Sequence, residues 1–374
     1  MAAQLRRMLG VGYAAPIKST APWPDLPREL LGLVHLHMPS HAERVRVCAV
    51  CRSWRSGARL LHPLPPSLPW FALRDRTFLS LPDGAVHHMR VPDCGGVLYR
   101  VSTGSMLFLT TPLPINSDHL ELSTRWDIRK VVVSDDLQTI VVLTASDTNS
   151  KNVNVYARVP QGTTAMDWAP PANSVALDIA LFHGKLYVLT RDVEQYECLP
   201  DLHVIESLFT VPWYSPRPIN MGIRSVQCIQ SGHIDDGLDR FFFYLAASGN
   251  RLLTVGRIVD PHPVDSPMPS RCFKVFQAAD LSRGHGWWSE VDTLMGHALF
   301  VSRGCSRSLA VRSQSCNGMS EISVIGNIEE DFLSSCGYNM RDQTVARLLS
   351  KTLVPSGLSA WGIWFPTWLF PAEV

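Results

Sequence analysis

The stretch ALDIALFHGKLYVLT, residues 176–190, contains two short apolar runs separated by His183 and Gly184. Each run is rich in aliphatic and aromatic residues, the composition of a buried strand. A two-residue connection that contains glycine suits the tight turn of a β-hairpin, because such turns need backbone conformations that glycine tolerates. The stretch therefore predicts an antiparallel hairpin.

The same pattern recurs along the chain after residue 70. Asp135-Asp136 and Gly249-Asn250 are further turn pairs between apolar strands. The additional strand-forming stretches are WFALRDRTFLSL (70–81), KVVVSDDLQTIVVL (130–143), RFFFYLAASGNRLLTVGRI (240–258), HALFVSRGCSRSLAV (297–311) and EISVIGNI (321–328).

A weak repeat links these stretches, since Gly104, Gly184, Gly249 and Gly296 each stand just before an apolar strand. The blades of a β-propeller have a period of about 40–50 residues, and the glycine spacing fits blades with one long or irregular unit. The predicted fold class is mainly β: a β-propeller-like domain preceded by a small all-α module. A β-sandwich with added helices is the alternative.

The two ends of the β-rich region are also predicted to pair. Propellers remove their exposed edges by building one blade from both ends of the repeat region. Residues 70–81 and 362–371 are both apolar and rich in aromatic side chains. The alternatives are a loose aromatic tail and a C-terminal segment that folds against the helices of residues 22–61. Pro366 is expected at a strand's edge or start, because proline cannot donate a hydrogen bond within a sheet.

Composition narrows the classes of function. The 374 residues are 46% hydrophobic and 18% charged, with a formal net charge of +1. A nucleic-acid groove would need a basic excess, and no run approaches the roughly 18 apolar residues of a membrane span. Nine scattered cysteines predict reduced thiols. The apolar patch after Arg6 and Arg7 is too short for a signal peptide, so the expected location is cytoplasmic and/or nuclear.

Before the β-rich region, residues 22–61 predict two or three short helices. Asp25 is a candidate N-cap, and Ser40 with Glu43 forms a capping box for the next helix. A first apolar face contains Leu30, Leu31, Val34 and Met38, and a second contains Val47, Val50, Cys51, Trp54 and Ala58. The unit is too small to bury these faces alone, so it needs a partner.

Within this unit, Cys48 and Cys51 have the C-x-x-C spacing of zinc and redox sites. A zinc site would add His37 and His41, and a redox site would need a preceding strand and an exposed thiol of low pKa. We favour a structural interpretation, in which Cys51 lies on the apolar face and Cys48 on the neighbouring face. No metal is expected.

The segment LPRELL, the break at Pro39 and the stretch VCRSW together resemble the F-box, which docks substrate receptors onto the adaptor of SCF-type ubiquitin ligases. The sequence departs from that family at His35, His37 and His41, which are more polar than usual. The resemblance assigns adaptor binding to Leu26, Pro27, Leu30, Leu31, Val34, Val50, Cys51 and Trp54.

The stretches DIALFHGKLYVLT, HALFVSRGCSRSLAV and FPTWLFP resemble the KIB-type β-propeller domain that follows the F-box in many plant proteins. This resemblance spans nearly all of residues 70–371, although residues 95–111 form a shorter segment than the family usually has. The implied domains are a flexible N-terminus (1–21), the F-box (22–61), a proline-rich linker (62–69) and the propeller-like domain (70–374).

No catalytic motif with a suitable context occurs. Cys305 lies beside Arg303 and Arg307 but has no assignable histidine and carboxylate partners, so a turn is expected there. Of Trp287 and Trp288, one is expected in the core and one at the rim.

The predicted function is therefore a non-catalytic substrate receptor of an SCF-type ubiquitin ligase without a cofactor. The F-box binds the adaptor and propeller loops bind a target protein; neither nucleic acid nor membrane is an expected partner. Two alternatives remain. The propeller is a small-molecule binder or enzyme with a polar central pocket, or the chain is an interaction protein whose F-box does not dock.

Overall fold

The structure is a computed structural model of the chain, and it describes a set of segments from residue 26 to residue 370. These segments are residues 26–38, 40–58, 67–72, 77–81, 84–88, 99–103, 106–110, 127–134, 139–145, 151–159, 162–194, 199–205, 223–226, 240–259, 272–281, 286–310, 322–326, 336–340, 344–347 and 367–370. Residues 26–38 and 42–58 belong to one compact unit, and the strands from Trp70 onward belong to another.

The first unit contains three helices, α1 (Arg28–Leu36), α2 (His41–Val50) and α3 (Arg52–Ala58). Pro27 occupies the N-cap position of α1, and its carbonyl accepts the first intrahelical hydrogen bond, from Leu31 N–H. The predicted cap Asp25 and the break at Pro39 lie outside the described residues. Helix α2 begins directly after Ser40, as the capping box predicts. The Ser40 hydroxyl nevertheless makes no hydrogen bond to any described residue.

The second unit consists of strands. In chain order they are β1 (Trp70–Ala72), β2 (Thr77–Ser80), β3 (Val86–His88), β4 (Tyr99–Thr103), β5 (Met106–Thr110), β6 (Asp127–Val133), β7 (Thr139–Ala145), β8 (Lys151–Val159), β9 (Gly162–Trp168), β10 (Ser174–Phe182), β11 (Lys185–Asp192), β12 (Asp201–Ile205), β13 (Ile223–Val226), β14 (Arg240–Ser248), β15 (Arg251–Val259), β16 (Cys272–Ala279), β17 (Trp287–Glu290), β18 (His297–Val301), β19 (Ser306–Ala310), β20 (Ile322–Gly326), β21 (Cys336–Asn339), β22 (Thr344–Arg347) and β23 (Thr367–Leu369).

The predicted hairpins are present where the described residues cover them. Strands β10 and β11 pair antiparallel across His183 and Gly184, whose φ angles are 49° and 73°. Strands β14 and β15 pair across Gly249, with φ 57°, and Asn250. Turns of this kind need positive φ, which glycine adopts without a steric penalty. The Asp135-Asp136 pair lies outside the described residues.

The described strands form six sheets. Their orders are β23-β1-β2-β3, β4-β5, β6-β7-β8-β9, β10-β11-β12-β13, β14-β15-β16-β17 and β19-β18-β20-β21-β22. Most neighbours are antiparallel, while β18 and β20 are parallel. In chain order, Gly104, Gly184 and Gly249 lie between the first two strands of their sheets, whereas Gly296 precedes β18, the first strand of its sheet. The sequence repeat therefore corresponds to a repeat of structure at three of the four glycines.

The sheets follow one another in a ring. Strand β4 lies beside β6, β6 beside β10, β10 beside β14, β14 beside β19, and β23 beside β4. An apolar cluster that contains Phe300 of β18 and Trp368 of β23 links the last sheet to the first. Apolar clusters fill the space between consecutive sheets; one of them joins Phe182 of β10 to Phe243 of β14 and Trp288 of β17. The ring confirms the predicted mainly-β, propeller-like fold with a helical module before it, and excludes the two facing sheets of a sandwich.

The two ends of the β-rich region close the ring. Strand β23 pairs antiparallel with β1, with Phe71 opposite Trp368 and Trp70 opposite Leu369. Trp368 is 1% exposed, and its indole Nε1 donates a hydrogen bond to the Val301 carbonyl at 3.3 Å. The predicted closure is confirmed, and the C-terminal aromatic segment is not a loose tail. Pro366 lies outside the described residues.

Candidate functional site

Helix α1 has one buried side and one apolar exposed side. Leu31, Gly32 and His35 face the interior of the helical unit. Leu30 and Leu33 are 49% and 51% exposed although they are large aliphatic residues. They are three positions apart and so lie on the same face of the helix. Water therefore contacts a leucine pair that a stable unit would normally cover.

Helix α2 also exposes large apolar side chains. Val45 and Val50 of α2 are 42% and 58% exposed, while Arg44 and Cys48 form its buried side. Among the described residues, eight large hydrophobic side chains are exposed, and four of them lie in these short helices. The propeller contains the other four, on far more residues. The exposed apolar surface is therefore concentrated in the helical unit.

The eight residues assigned to adaptor binding occupy different environments. Pro27, Leu30 and Val50 are exposed, and Leu26, Val34, Cys51 and Trp54 are partly buried, whereas Leu31 is 1% exposed. The predicted apolar face of Leu30, Leu31, Val34 and Met38 is thus divided: Leu31 and Met38 pack inward and Leu30 points outward. Leu33 and Val45 are not among the residues predicted from the sequence, although the spacing of Leu33 from Leu30 is a signal that identifies it.

Leu31 packs against a glycine of α3. A Cβ atom added to Gly57 would lie 2.7 Å from Leu31 Cδ2, closer than side chains pack. Only glycine lets α1 and α3 approach this closely, so Gly57 sets the distance between the two helices. The exposed leucines of α1 depend on this contact, because it fixes which side of α1 turns outward.

The two cysteines of the C-x-x-C stretch have separate structural roles. Cys48 is 6% exposed, in the interior of the helical unit. Cys51 separates α2 from α3, and its Sγ accepts a hydrogen bond from the Trp54 backbone N–H at 3.4 Å. Cys51 therefore caps α3, a position where a side-chain acceptor satisfies a free N–H group.

Two details of the predicted second helix are corrected by this arrangement. The apolar pattern from Val47 to Ala58 is divided between two helices, and Cys48 rather than Cys51 is the more buried thiol. The Arg55 Nε donates to the Cys48 carbonyl at 3.2 Å, which holds the end of α2 against α3. Within the described segments, no group of three or more histidine, cysteine or acidic side chains is arranged to hold a metal ion.

The imidazole of His35 lies inside the helical unit and makes no hydrogen bond to any described residue. Its side chain is 1% exposed, and neither ring nitrogen bonds to another described residue. Burial lowers the pKa of the His35 imidazole, and the charge of Arg44 lowers the pKa further. Of the histidines at which the sequence departs from the F-box, His35 is thus in the core and His37 is exposed.

The propeller contains a buried ion pair on its inner strands. Lys130 Nζ of β6 lies 2.8 Å from the Asp178 carboxylate of β10, with 2% and 5% of their side chains exposed. Asp178 also accepts backbone hydrogen bonds from Ile179 and Leu245. Burial raises the pKa of Asp178, and the charge of Lys130 and these donors oppose that effect. Both charged groups thus have their partners within the protein, which is typical of an ion pair that stabilises the fold.

The remaining candidates from the sequence also have structural roles. Cys305 lies in a tight connection between β18 and β19, where its N–H donates to the Ser302 hydroxyl at 3.1 Å, as the predicted turn requires. Trp288 is 2% exposed and Trp287 46% exposed, which confirms the division between core and rim. None of the described helices has the length and hydropathy of a membrane-spanning helix.

The closed ring of sheets and its terminal closure define a β-propeller protein. Residues 66–324 match the KIB1-4 beta-propeller family, and since this is more than half of the chain, the chain belongs to that family. A search of the curated proteins gives no match. The family assignment supports the second of the two resemblances. The match begins after the three helices, so the F-box resemblance depends on the helical unit itself.

Proposed function

We propose that this protein is the substrate-recognition subunit of an SCF-type ubiquitin ligase. The helical unit is the F-box that binds the adaptor, and the propeller binds the target protein. The observation that carries the proposal is the exposed leucine pair of α1, Leu30 at 49% and Leu33 at 51%, on a unit whose sequence resembles an F-box.

The exposed surface of the helical unit supports this proposal. Apolar surface in water is unfavourable by roughly 25 cal/mol per Å² compared with the same surface buried. Leu30, Leu33 and Val50 are large and exposed, and the exposed side chains of Arg28, Arg46 and Arg52 come from the same helices. Apolar residues with polar neighbours are typical of a protein-binding surface.

In this proposal the protein catalyses no bond chemistry itself. It raises the effective concentration of target lysines near the ubiquitin thioester that the assembled ligase supplies. The propeller is a rigid scaffold closed by β1 and β23, and loops on such a scaffold are suited to binding. The described inner strands support this role, because Lys130 and Asp178 neutralise each other in the interior instead of facing a substrate.

The test is capture of the adaptor by the full-length protein. The variant Leu30→Ser with Leu33→Ser removes the exposed pair without touching the buried Leu31. Truncating central apolar residues of an interface typically costs about 2–4 kcal/mol, so adaptor capture should be lost at concentrations that saturate the wild type.

The matched control is Val86→Ser, because Val86 is 43% exposed on an outer strand of the propeller. It should capture the adaptor like the wild type. Equal capture by the leucine variant and the wild type, with both folded by circular dichroism, excludes the proposed docking surface. Loss of capture in the control as well would attribute binding to the propeller and also contradict the proposal.

A further inference from the structure

The interior of the helical unit contains a buried histidine and a buried arginine, which are not part of the proposed docking surface. His35 of α1 and Arg44 of α2 are 1% and 4% exposed, so a titratable ring and a permanent cation share the core of a very small unit. The Arg44 Nε donates to the Met38 carbonyl at 2.8 Å, which holds the guanidinium in place. The imidazole has no hydrogen-bond partner among the described residues.

This arrangement favours the neutral form of His35. A neutral imidazole has one N–H and one acceptor to satisfy, while a protonated imidazole has two N–H donors and a full charge. Removing a charge from water costs several kcal/mol when no partner compensates for it. The buried Arg44 adds repulsion, since two cations then lie in the same core.

The surrounding charges do not offset this cost. Burial and Arg44 are the two influences on the pKa of His35, and both lower it. The other histidine, arginine and glutamate side chains described in residues 26–58 are exposed or partly exposed, namely Arg28, Glu29, His37, His41, Glu43, Arg46, Arg52 and Arg55. The thiols of Cys48 and Cys51 carry no positive charge and so add no repulsion. No carboxylate of the described residues acts on His35 to stabilise its cation.

We propose that His35 makes the helical unit acid-sensitive: uptake of one proton by its imidazole opens the packing of α1 against α3, which Leu31 and Gly57 form. The opened unit exposes the ring to water, where the cation is solvated. The device is a regulatory one, because opening turns the buried face of α1 outward and removes the rigid support of Leu30 and Leu33. Its effect on adaptor binding rests on the proposed function, whereas the opening itself does not.

Because the pKa of His35 is lowered in the folded unit, the closed unit becomes less stable as the pH falls. His35 binds protons more weakly in the folded unit than in the open one, where its pKa is about 6.5. The stability of the closed unit is therefore complete above that value and decreases as the pH falls below it. One proton per opening changes the opening constant by about tenfold per pH unit, until the pH reaches the pKa of the folded form.

The experiment measures opening directly in the full-length protein. Amide hydrogen exchange of peptides from residues 28–58 is followed by mass spectrometry between pH 5 and pH 7.5 and corrected for intrinsic exchange rates. In the wild type, protection of these peptides should fall by up to about tenfold per pH unit below pH 6.5. In His35→Leu the corrected protection should not depend on pH, because the titrating group is absent and no hydrogen bond of the ring is lost.

The control is His37→Gln, which removes an exposed histidine two positions away on the same segment and should leave the wild-type pH dependence unchanged. In this variant, exchange of the imidazole C2 proton also gives the pKa of His35 without changing that residue. Acid sensitivity that persists in His35→Leu overturns the proposal, as does a His35 pKa at or above 6.5. If His35→Leu does not fold, the C2 measurement alone decides.

Adaptor capture at two pH values tests the opening of the helical unit and the proposed function separately. Capture that weakens from pH 7.5 to pH 5.5 in the wild type but not in His35→Leu links the opening to docking. Absence of capture at both pH values contradicts the docking proposal and leaves the exchange measurement as the test of the opening.

Discussion

Lys130 and Asp178 lie 48 positions apart in the chain and meet in the interior of the propeller at 2.8 Å. The same ammonium group donates to the Leu245 carbonyl at 3.2 Å, and Asp178 accepts from the Leu245 N–H. Strands β6, β10 and β14 are thereby joined by one buried network. These strands belong to three consecutive sheets, so the network connects neighbouring blades at the inner side of the ring.

Removing one partner of this pair should destabilise the propeller. Lys130→Met leaves the Asp178 carboxylate buried without its counter-charge, and such changes typically cost about 3–5 kcal/mol. Lys130→Met with Asp178→Asn should cost less, because the neutral amide leaves no buried charge and its oxygen still accepts one of the two backbone hydrogen bonds. The measurement is urea unfolding of each variant. Lys274→Met, a partly exposed lysine of β16, is the control. A Lys130→Met protein as stable as the wild type would contradict the role of the pair.

Closure of the ring should depend on Trp368. Its ring lies 4.7 Å from Phe71 and 5.4 Å from Phe300 between centroids, in the cluster that joins the first and last sheets. Trp368→Ala should lower the free energy of unfolding by about 3–5 kcal/mol. Deleting the chain from Trp361 should destabilise the whole β domain. Trp287→Ala removes a 46% exposed tryptophan and should have little effect. A truncated protein that melts as late and as cooperatively as the intact one rules out closure.

The spacing of α1 and α3 should not tolerate a methyl group at position 57. Gly57→Ala places a Cβ 2.7 Å from Leu31 Cδ2, and Leu31 has no free space because it is 1% exposed. Overpacking costs about 1–3 kcal/mol, which exceeds the gain of up to about 1 kcal/mol in helix propensity.

Hydrogen exchange of the helices measures this change, with the exposed Ser56→Ala as the control that gains helix propensity alone. The double variant Gly57→Ala with Leu31→Ala should lose less stability than the sum of the single variants, because the clash is absent. Equal protection of the Gly57→Ala and wild-type helices would show that α1 and α3 are not in close contact.

Two buried threonines should respond in opposite ways to the same substitution. Thr190 is 1% exposed and its hydroxyl lies 2.8 Å from His203 Nε2, whereas the hydroxyl of Thr254, 0% exposed, has no partner among the described residues. Thr190→Val should cost about 1–3 kcal/mol, since it leaves a buried ring nitrogen without its partner. Thr254→Val should be neutral or stabilising. Thermal unfolding compares the two, and a larger loss for Thr254→Val would refute this assignment.

The sequence predicted those features that depend on neighbours in the chain. The hairpin at His183 and Gly184 follows from a local turn signal between two apolar runs, and the structure contains it. The closure of the ring was also predictable, because residues 70–81 and the C-terminal segment are too apolar to remain exposed. The division of Trp287 and Trp288 follows from the alternation of side chains along a strand.

The sequence alone determined the helical module before a β-rich region and the hairpins at His183 and Gly249, because turn signals and apolar periodicity act over a few residues. It also indicated the pairing of the two chain ends, because both are too apolar to remain exposed. The tertiary structure decided which side of α1 is buried, since Leu31 rather than Leu30 meets Gly57. It also decided that Cys48 is buried, that Cys51 caps α3, and that Lys130 meets Asp178. These contacts depend on how separate elements pack, and local periodicity does not distinguish an apolar side chain that meets another helix from one that meets water.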